Sequence, residues 1–138
     1  MLAAMAAPTA AVSFLPSFQQ TYPIYRPGFV GAATGWPLWL TWPVHETSYA
    51  MRFVSVEFFF RGFMVHGTKH RFGSMAIFVM MVPYCMIHFG KPMAETFGAI
   101  GAGLVLGFTS LKTRSIWLGA AIHIGVAWTM DTLATWGR

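Results

Sequence analysis

Apolar residues run through this chain in long stretches, and polar residues collect between them. Four runs have the character of membrane-crossing helices, at about 48–66, 73–89, 94–109 and 116–135. A helix needs about 20 apolar residues to cross the hydrocarbon core of a bilayer. Between the runs lie short polar stretches. Thr68 to Phe72 carries Lys69, His70 and Arg71 and reads as a loop. Lys91 and Pro92 mark a second loop, and Lys112 and Arg114 a third. Pro83 predicts a kink in the second run. In the third run, Gly103 and Gly107 predict close packing against a neighbouring helix. The strands of a membrane β-barrel would alternate polar and apolar residues, and no such period is sustained. The prediction is therefore all-α, a polytopic membrane helical bundle of about four transmembrane helices.

Residues 1–45 read as an N-terminal extension and residues 46–138 as the transmembrane core. The stretch 28–44 is apolar but broken by Gly35, Pro37 and Pro43, and it crowds Trp36, Trp39 and Trp42. Tryptophan favours the membrane interface, so this segment is expected to lie there or to insert in part. No basic region precedes the apolar start, which argues against a cleaved signal peptide.

Composition narrows the class further. Hydrophobic residues make up 56% of the 138 residues and charged residues only 9%. Soluble domains carry about 25% charged residues, so this chain cannot clothe a soluble surface. The length fits one domain. The net charge of +5 would suit nucleic acid. The basic residues instead sit between apolar runs, as membrane proteins place them, so lipid is the expected partner and nucleic acid is not. The basic pairs Lys69/Arg71 and Lys112/Arg114 fall on one side, which the positive-inside rule assigns to the cytoplasm. The single cysteine, Cys85, allows no internal disulfide and no cysteine-based zinc site.

The candidate chemistry begins at Glu57-Phe-Phe-Phe-Arg61, inside the first run. A charge at the centre of a membrane helix costs roughly 2.5 to 3.5 kcal/mol, so an acid and a base buried there point to function. Four residues apart, they share a helix face. Burial raises a carboxyl pKa and a nearby guanidinium lowers it, a balance that suits a general base. The plain alternative is a buried ion pair that fixes packing. His88 ends the second run, one turn after Tyr84, and reads as a second base, a water or metal ligand, or an interfacial histidine. His123 lies among Ala121, Ile122, Ile124 and Gly125 in the fourth run and is a candidate for the same pocket. Asp131 is expected at the interface rather than orienting a histidine. His66 and His70 are expected to be solvated, and Cys85 to be inert packing. His45-Glu46 opens like the zinc motif HExxH, but position 49 is Tyr49 and the second ligand is missing.

These residues resemble the CPBP family, the CAAX-protease and bacteriocin-processing intramembrane endopeptidases also called the Abi family. That family carries EExxxR on one helix, FxxxH on a later one and HxxxN on a last one. The matches are Glu57 to Arg61 followed by Gly62, then Tyr84 to His88, then His123, over about residues 48–136. Two positions depart. Val56 stands where the family has its first, catalytic glutamate, and Ala127 stands where it has a polar residue. The resemblance implies an integral membrane hydrolase, expected in a bacterial cell membrane. It implies catalytic roles for Glu57, Arg61, His88 and His123. Glu57 and His88 would activate water, Arg61 would position Glu57, and His123 would hold the oxyanion. The substrate would be a membrane-associated or prenylated peptide. No cofactor is expected. A zinc ion, if present, would fall on Glu57, His88 and His123. Val56 and Ala127 favour the rival reading, an inactive member acting as a membrane scaffold, immunity factor or partner-binding protein. A proton-linked transporter built on Glu57 is a third reading, and the absence of an internal repeat speaks against it.

Overall fold

The computed structural model describes residue 11, residues 15–22, residue 31 and residues 33–136. The described residues are helical, with no strand among them. The elements are α1 (Pro16–Thr21), α2 (Leu38–Glu57), a π-helical stretch (Phe58–Val65), α3 (His66–Phe72), a short 3-10 turn (Gly73–Met75), α4 (Ala76–Met86), α5 (Met93–Thr113) and α6 (Trp117–Trp136). By length and hydropathy α5 qualifies to cross a membrane.

Two boundaries differ from the sequence expectation. The stretch expected to be a separate interfacial segment runs into α2, which already begins at Leu38. Pro37 stands just before the first helical residue, where its missing N–H is no loss, and its carbonyl accepts the N–H groups of Leu40 and Thr41. Pro43 lies inside the helix and removes one N–H. The expected loop Thr68–Phe72 is also helical, as α3. Lys69 and Arg71 are good helix formers, and the chain turns only at Gly73, whose φ of 56° suits glycine.

The chain divides into two compact units. One comprises 1–53 with 124–138, and the other 54–123. In the described part of the first, Phe18 and Tyr22 pack with Ala134, and Met130 adjoins them. The second is built around Phe60, Val65, Ile77, Met80, Met81, Tyr84 and Ala99. Here the glycines of α5 act as the sequence predicts. A Cβ on Gly103 would stand 2.4 Å from Met81 Sδ, and one on Gly107 would stand 2.8 Å from Ile77 Cγ2. Glycine at both positions lets α5 close onto α4.

The second unit exposes large aromatic side chains and buries an ion pair. Phe58, Phe63, Phe89, Phe97 and Trp117 are all exposed, whereas Glu57 and Arg61 have no exposed surface. His66, expected to be solvated, instead meets buried Ser110 through Nε2 at 3.0 Å, and Lys69 Nζ lies 3.1 Å from its Nδ1. Two helices crossing a nonpolar region must satisfy such groups internally. This contact draws the Lys69/Arg71 end of α3 to the Lys112/Arg114 end of α5, so the two basic stretches share one end of this unit.

Candidate active site

Glu57 is the last residue of α2, and the helix widens to a π pattern directly after it. Such i→i+5 turns are rare and concentrate at functional sites. Arg61 lies within the widened stretch, and its Nη1 forms an ion pair with Glu57 Oε1 at 3.0 Å. Both side chains are completely buried. The far side of the guanidinium is not left bare. Its carbon lies 4.1 Å from the centre of the Tyr84 ring, a cation–π contact that gains from the absence of water. Phe60 packs edge-on against the same ring at 5.2 Å.

α6 brings the second partner. His123 Nδ1 lies 3.1 Å from Glu57 Oε1. One carboxylate oxygen thus takes both the guanidinium and the imidazole. The other, Oε2, is buried and receives no hydrogen bond from the described residues. Gly119, one turn before His123, makes room for it. A Cβ there would stand 2.6 Å from Glu57 Oε2. Gly119 was not singled out in the sequence, because nothing local separates a glycine that spares a carboxylate from one that merely packs.

His88 belongs to the turn after α4 rather than to the helix itself. Its ring stands 4.9 Å from that of Tyr84, and it is 8% exposed. His88 Nδ1 lies 2.9 Å from the Tyr84 carbonyl. A carbonyl only accepts, so Nδ1 carries the proton and Nε2 of the neutral ring keeps a lone pair. Thr96, at the start of α5, donates its hydroxyl to the His88 carbonyl at 3.0 Å and fixes the turn. Beside this turn runs an apolar groove of about 410 Å³ lined by Cys85, Phe89, Met93, Phe97 and Ile100. The sequence did not point to Thr96 or to this groove.

Glu57, Arg61 and His123 therefore meet, and Tyr84 joins Arg61 to His88. Val56, where the motif has its first glutamate, packs against the apolar cluster. Ala127 is buried in the first unit. The residues do not fit a zinc ion at Glu57, His88 and His123. They do not form a trio with ligand atoms within 4.8 Å of one another. Glu57 is also already matched by a guanidinium, and His88 Nδ1 is taken by a carbonyl. Asp131, expected at the interface, is fully buried, and the histidine beside it is His45, whose Nε2 lies 3.9 Å from Asp131 Oδ2. A fully buried carboxylate in a nonpolar interior must be matched, which overrides an interfacial preference.

No curated protein and no solved structure matches the chain. A family model does, over residues 38–129, from the first residue of α2 to within α6. Its description is Type II CAAX prenyl endopeptidase Rce1-like. The match covers most of the chain and contains Glu57, Arg61, His88 and His123, so this protein belongs to that family of membrane-embedded proteases.

Proposed function

We propose that this protein hydrolyses a peptide bond of a membrane-associated or prenylated substrate, using water activated at Glu57. The observation that carries this reading is the asymmetry of the Glu57 carboxylate. Oε1 is held by Arg61 and His123, while buried Oε2 has no donor among the described residues. A buried carboxylate oxygen with no donor of its own supports a role in taking a proton from water.

In the proposed reaction, water attacks the scissile carbonyl carbon and gives its proton to Glu57 Oε2. His88 Nε2 accepts a second hydrogen bond from that water and orients it. His123 keeps Nδ1 against Glu57 and turns Nε2 toward the oxyanion, which it holds by a hydrogen bond. When the tetrahedral intermediate collapses, the carbon–nitrogen bond breaks and the amine leaves with the proton from Glu57. Arg61 touches no substrate in this scheme; it positions Glu57. The apolar groove beside the His88 turn takes the lipid chain of the substrate. No step needs a metal or cofactor. Four helical passages of the bilayer fit the outward-facing aromatics and the buried ion pair.

The test is cleavage of a farnesylated CAAX peptide by the purified protein in lipid nanodiscs. Glu57→Gln, His88→Ala and His123→Ala should each lose at least about 100-fold in kcat, consistent with general-base contributions. Added chelator should leave the wild-type rate unchanged. A second reading, an inactive membrane scaffold, is favoured by Val56 in place of the first motif glutamate. It wins if the wild type cleaves nothing across prenylated and unprenylated panels and the three variants lose only stability.

A further inference from the structure

In the second unit, basic side chains gather where α3 meets the end of α5. The contact of His66 Nε2 with Ser110 Oγ at 3.0 Å holds the two helices together there. Lys69 and Arg71 follow His66 closely in the chain, and Lys112 and Arg114 follow Ser110. Arg71, Lys112 and Arg114 are exposed, and Lys69 is partly buried with its Nζ 3.1 Å from His66 Nδ1. No acid stands in either stretch. The acids of this unit are Glu57, which is completely buried, and Glu95, in the first turn of α5 at its opposite end. Like charges gathered on one surface repel, and no carboxylate of the unit stands among them.

The turn that carries Arg114 is fixed. Thr113 donates its hydroxyl to the Ser115 carbonyl at 3.3 Å, and the Ser115 hydroxyl accepts the Trp117 N–H at 3.3 Å. Arg114 ends α5 in the left-handed region, at φ 53° and ψ 31°. Helices commonly end in this conformation on glycine, and a larger side chain is strained there. Arginine gives the turn a charge in place of the residue that would form it most easily. Phe72, Phe108 and Trp117 lie in the same stretches and are exposed. Aromatic rings interleaved with cations suit the headgroup level of a bilayer, whereas a soluble acidic partner would call for the cations alone. The 21 residues of α5 make a helix about 32 Å long, close to the thickness of a hydrocarbon core. With α5 across the bilayer, its basic end therefore stands among the headgroups. We propose that Lys69, Arg71, Lys112 and Arg114 form a binding surface for anionic phospholipid headgroups. The surface singles out lipids by charge and lies at the other end of α5 from the His88 turn. It does not depend on peptide hydrolysis.

The experiment uses the full chain in an uncharged detergent. Short-chain phosphatidylglycerol and phosphatidylcholine are titrated separately, and bound lipid is read by native mass spectrometry. Phosphatidylglycerol should bind at least about 10-fold more tightly, and added salt should narrow the gap. Lys112→Gln and Arg71→Gln should each weaken phosphatidylglycerol binding about 5-fold, and the two together about 25-fold. Arg114→Gly is the sharper variant. It relieves the left-handed backbone, so the lipid-free thermal midpoint should hold or rise while phosphatidylglycerol binding falls about 5-fold. Lys91→Gln removes a cation from the opposite end and should bind like the wild type. The proposal fails if the two lipids bind the wild type alike, or if the folded Lys112→Gln, Arg71→Gln and Arg114→Gly variants keep wild-type affinity. It also fails if Lys91→Gln loses as much as Lys112→Gln. Displacement of the lipid by polyglutamate or inorganic phosphate at equal concentration would overturn it too, since the surface would then serve a soluble anion.

Discussion

Glu57 and the Glu46/Asp131 pair hold carboxylates away from water in two different ways. Glu57 meets built-in cationic partners, a guanidinium at 3.0 Å and an imidazole at 3.1 Å. Its chemistry is supplied by the fold and is always present. Glu46 faces another carboxylate and an imidazole instead. The difference teaches where each site draws its stability. The first depends on its own arginine and should be unaffected by chelator. The second sets two carboxylates and an imidazole side by side.

The largest effect should come from breaking the first arrangement. Arg61→Ala leaves a buried carboxylate and an open space beside Tyr84. It should cost about 3 to 5 kcal/mol, seen as a large drop in thermal midpoint in detergent. Replacing both partners by apolar residues, Glu57→Leu with Arg61→Met, should restore most of that stability while cleavage stays absent. If the double variant is as unstable as Arg61→Ala, then the ion pair stabilises the fold beyond matching its own charges.

Gly119→Ala should be next. Its Cβ would stand 2.6 Å from Glu57 Oε2, so the carboxylate must move. Small-to-large changes in packed interiors cost about 1 to 3 kcal/mol. Here the effect should fall on the open oxygen, so kcat should drop by about 10-fold or more with little change in KM. A Gly119→Ala enzyme with normal kcat would remove Oε2 from the mechanism.

Much of the first site was legible in the sequence, and almost none of the second. Glu57 and Arg61 are neighbours by helical spacing alone, and an acid and a base inside an apolar run demand a partner. His88 and His123 stood out as polar residues in the later apolar runs, and the family motif then assigned their roles. Local pattern cannot give contacts between distant segments. Asp131 looked interfacial because the polar groups beside it, His45 and Glu46, lie far back along the chain on α2. His66 looked solvated because Ser110 reads as one more small residue of α5. The same limit hid Gly119 and Thr96. The helix class was legible because long apolar runs permit little else. The helix starts were less so, since Pro37 reads equally as a break or as the residue before a first turn.

The second group predicts a smaller change. Glu46→Gln removes one of two neighbouring carboxylates, so stability should stay within about 1 kcal/mol of the wild type or rise, as read by the thermal midpoint in detergent. A large drop would mean that the Glu46 carboxylate is matched by the groups around it.

The smallest effect calibrates the others. Lys91 and Glu95 form an ion pair at 2.6 Å, shorter than that of Glu57 and Arg61, with the same four-residue spacing. Distance alone would rank it the stronger. The Lys91 side chain is 39% exposed, however, and water already solvates the charge there. Exposed pairs of this kind contribute about 0.3 to 0.5 kcal/mol, so Lys91→Ala should hardly move the thermal midpoint, and added salt should erase even that shift. Arg61→Ala should keep its large cost at high salt, because no counterion reaches a completely buried pair. Comparing the two variants at low and high salt therefore isolates burial from geometry. If Lys91→Ala proves as costly as Arg61→Ala, burial is not what sets the Glu57 site apart, and the contrast between the two carboxylate sites loses its physical basis.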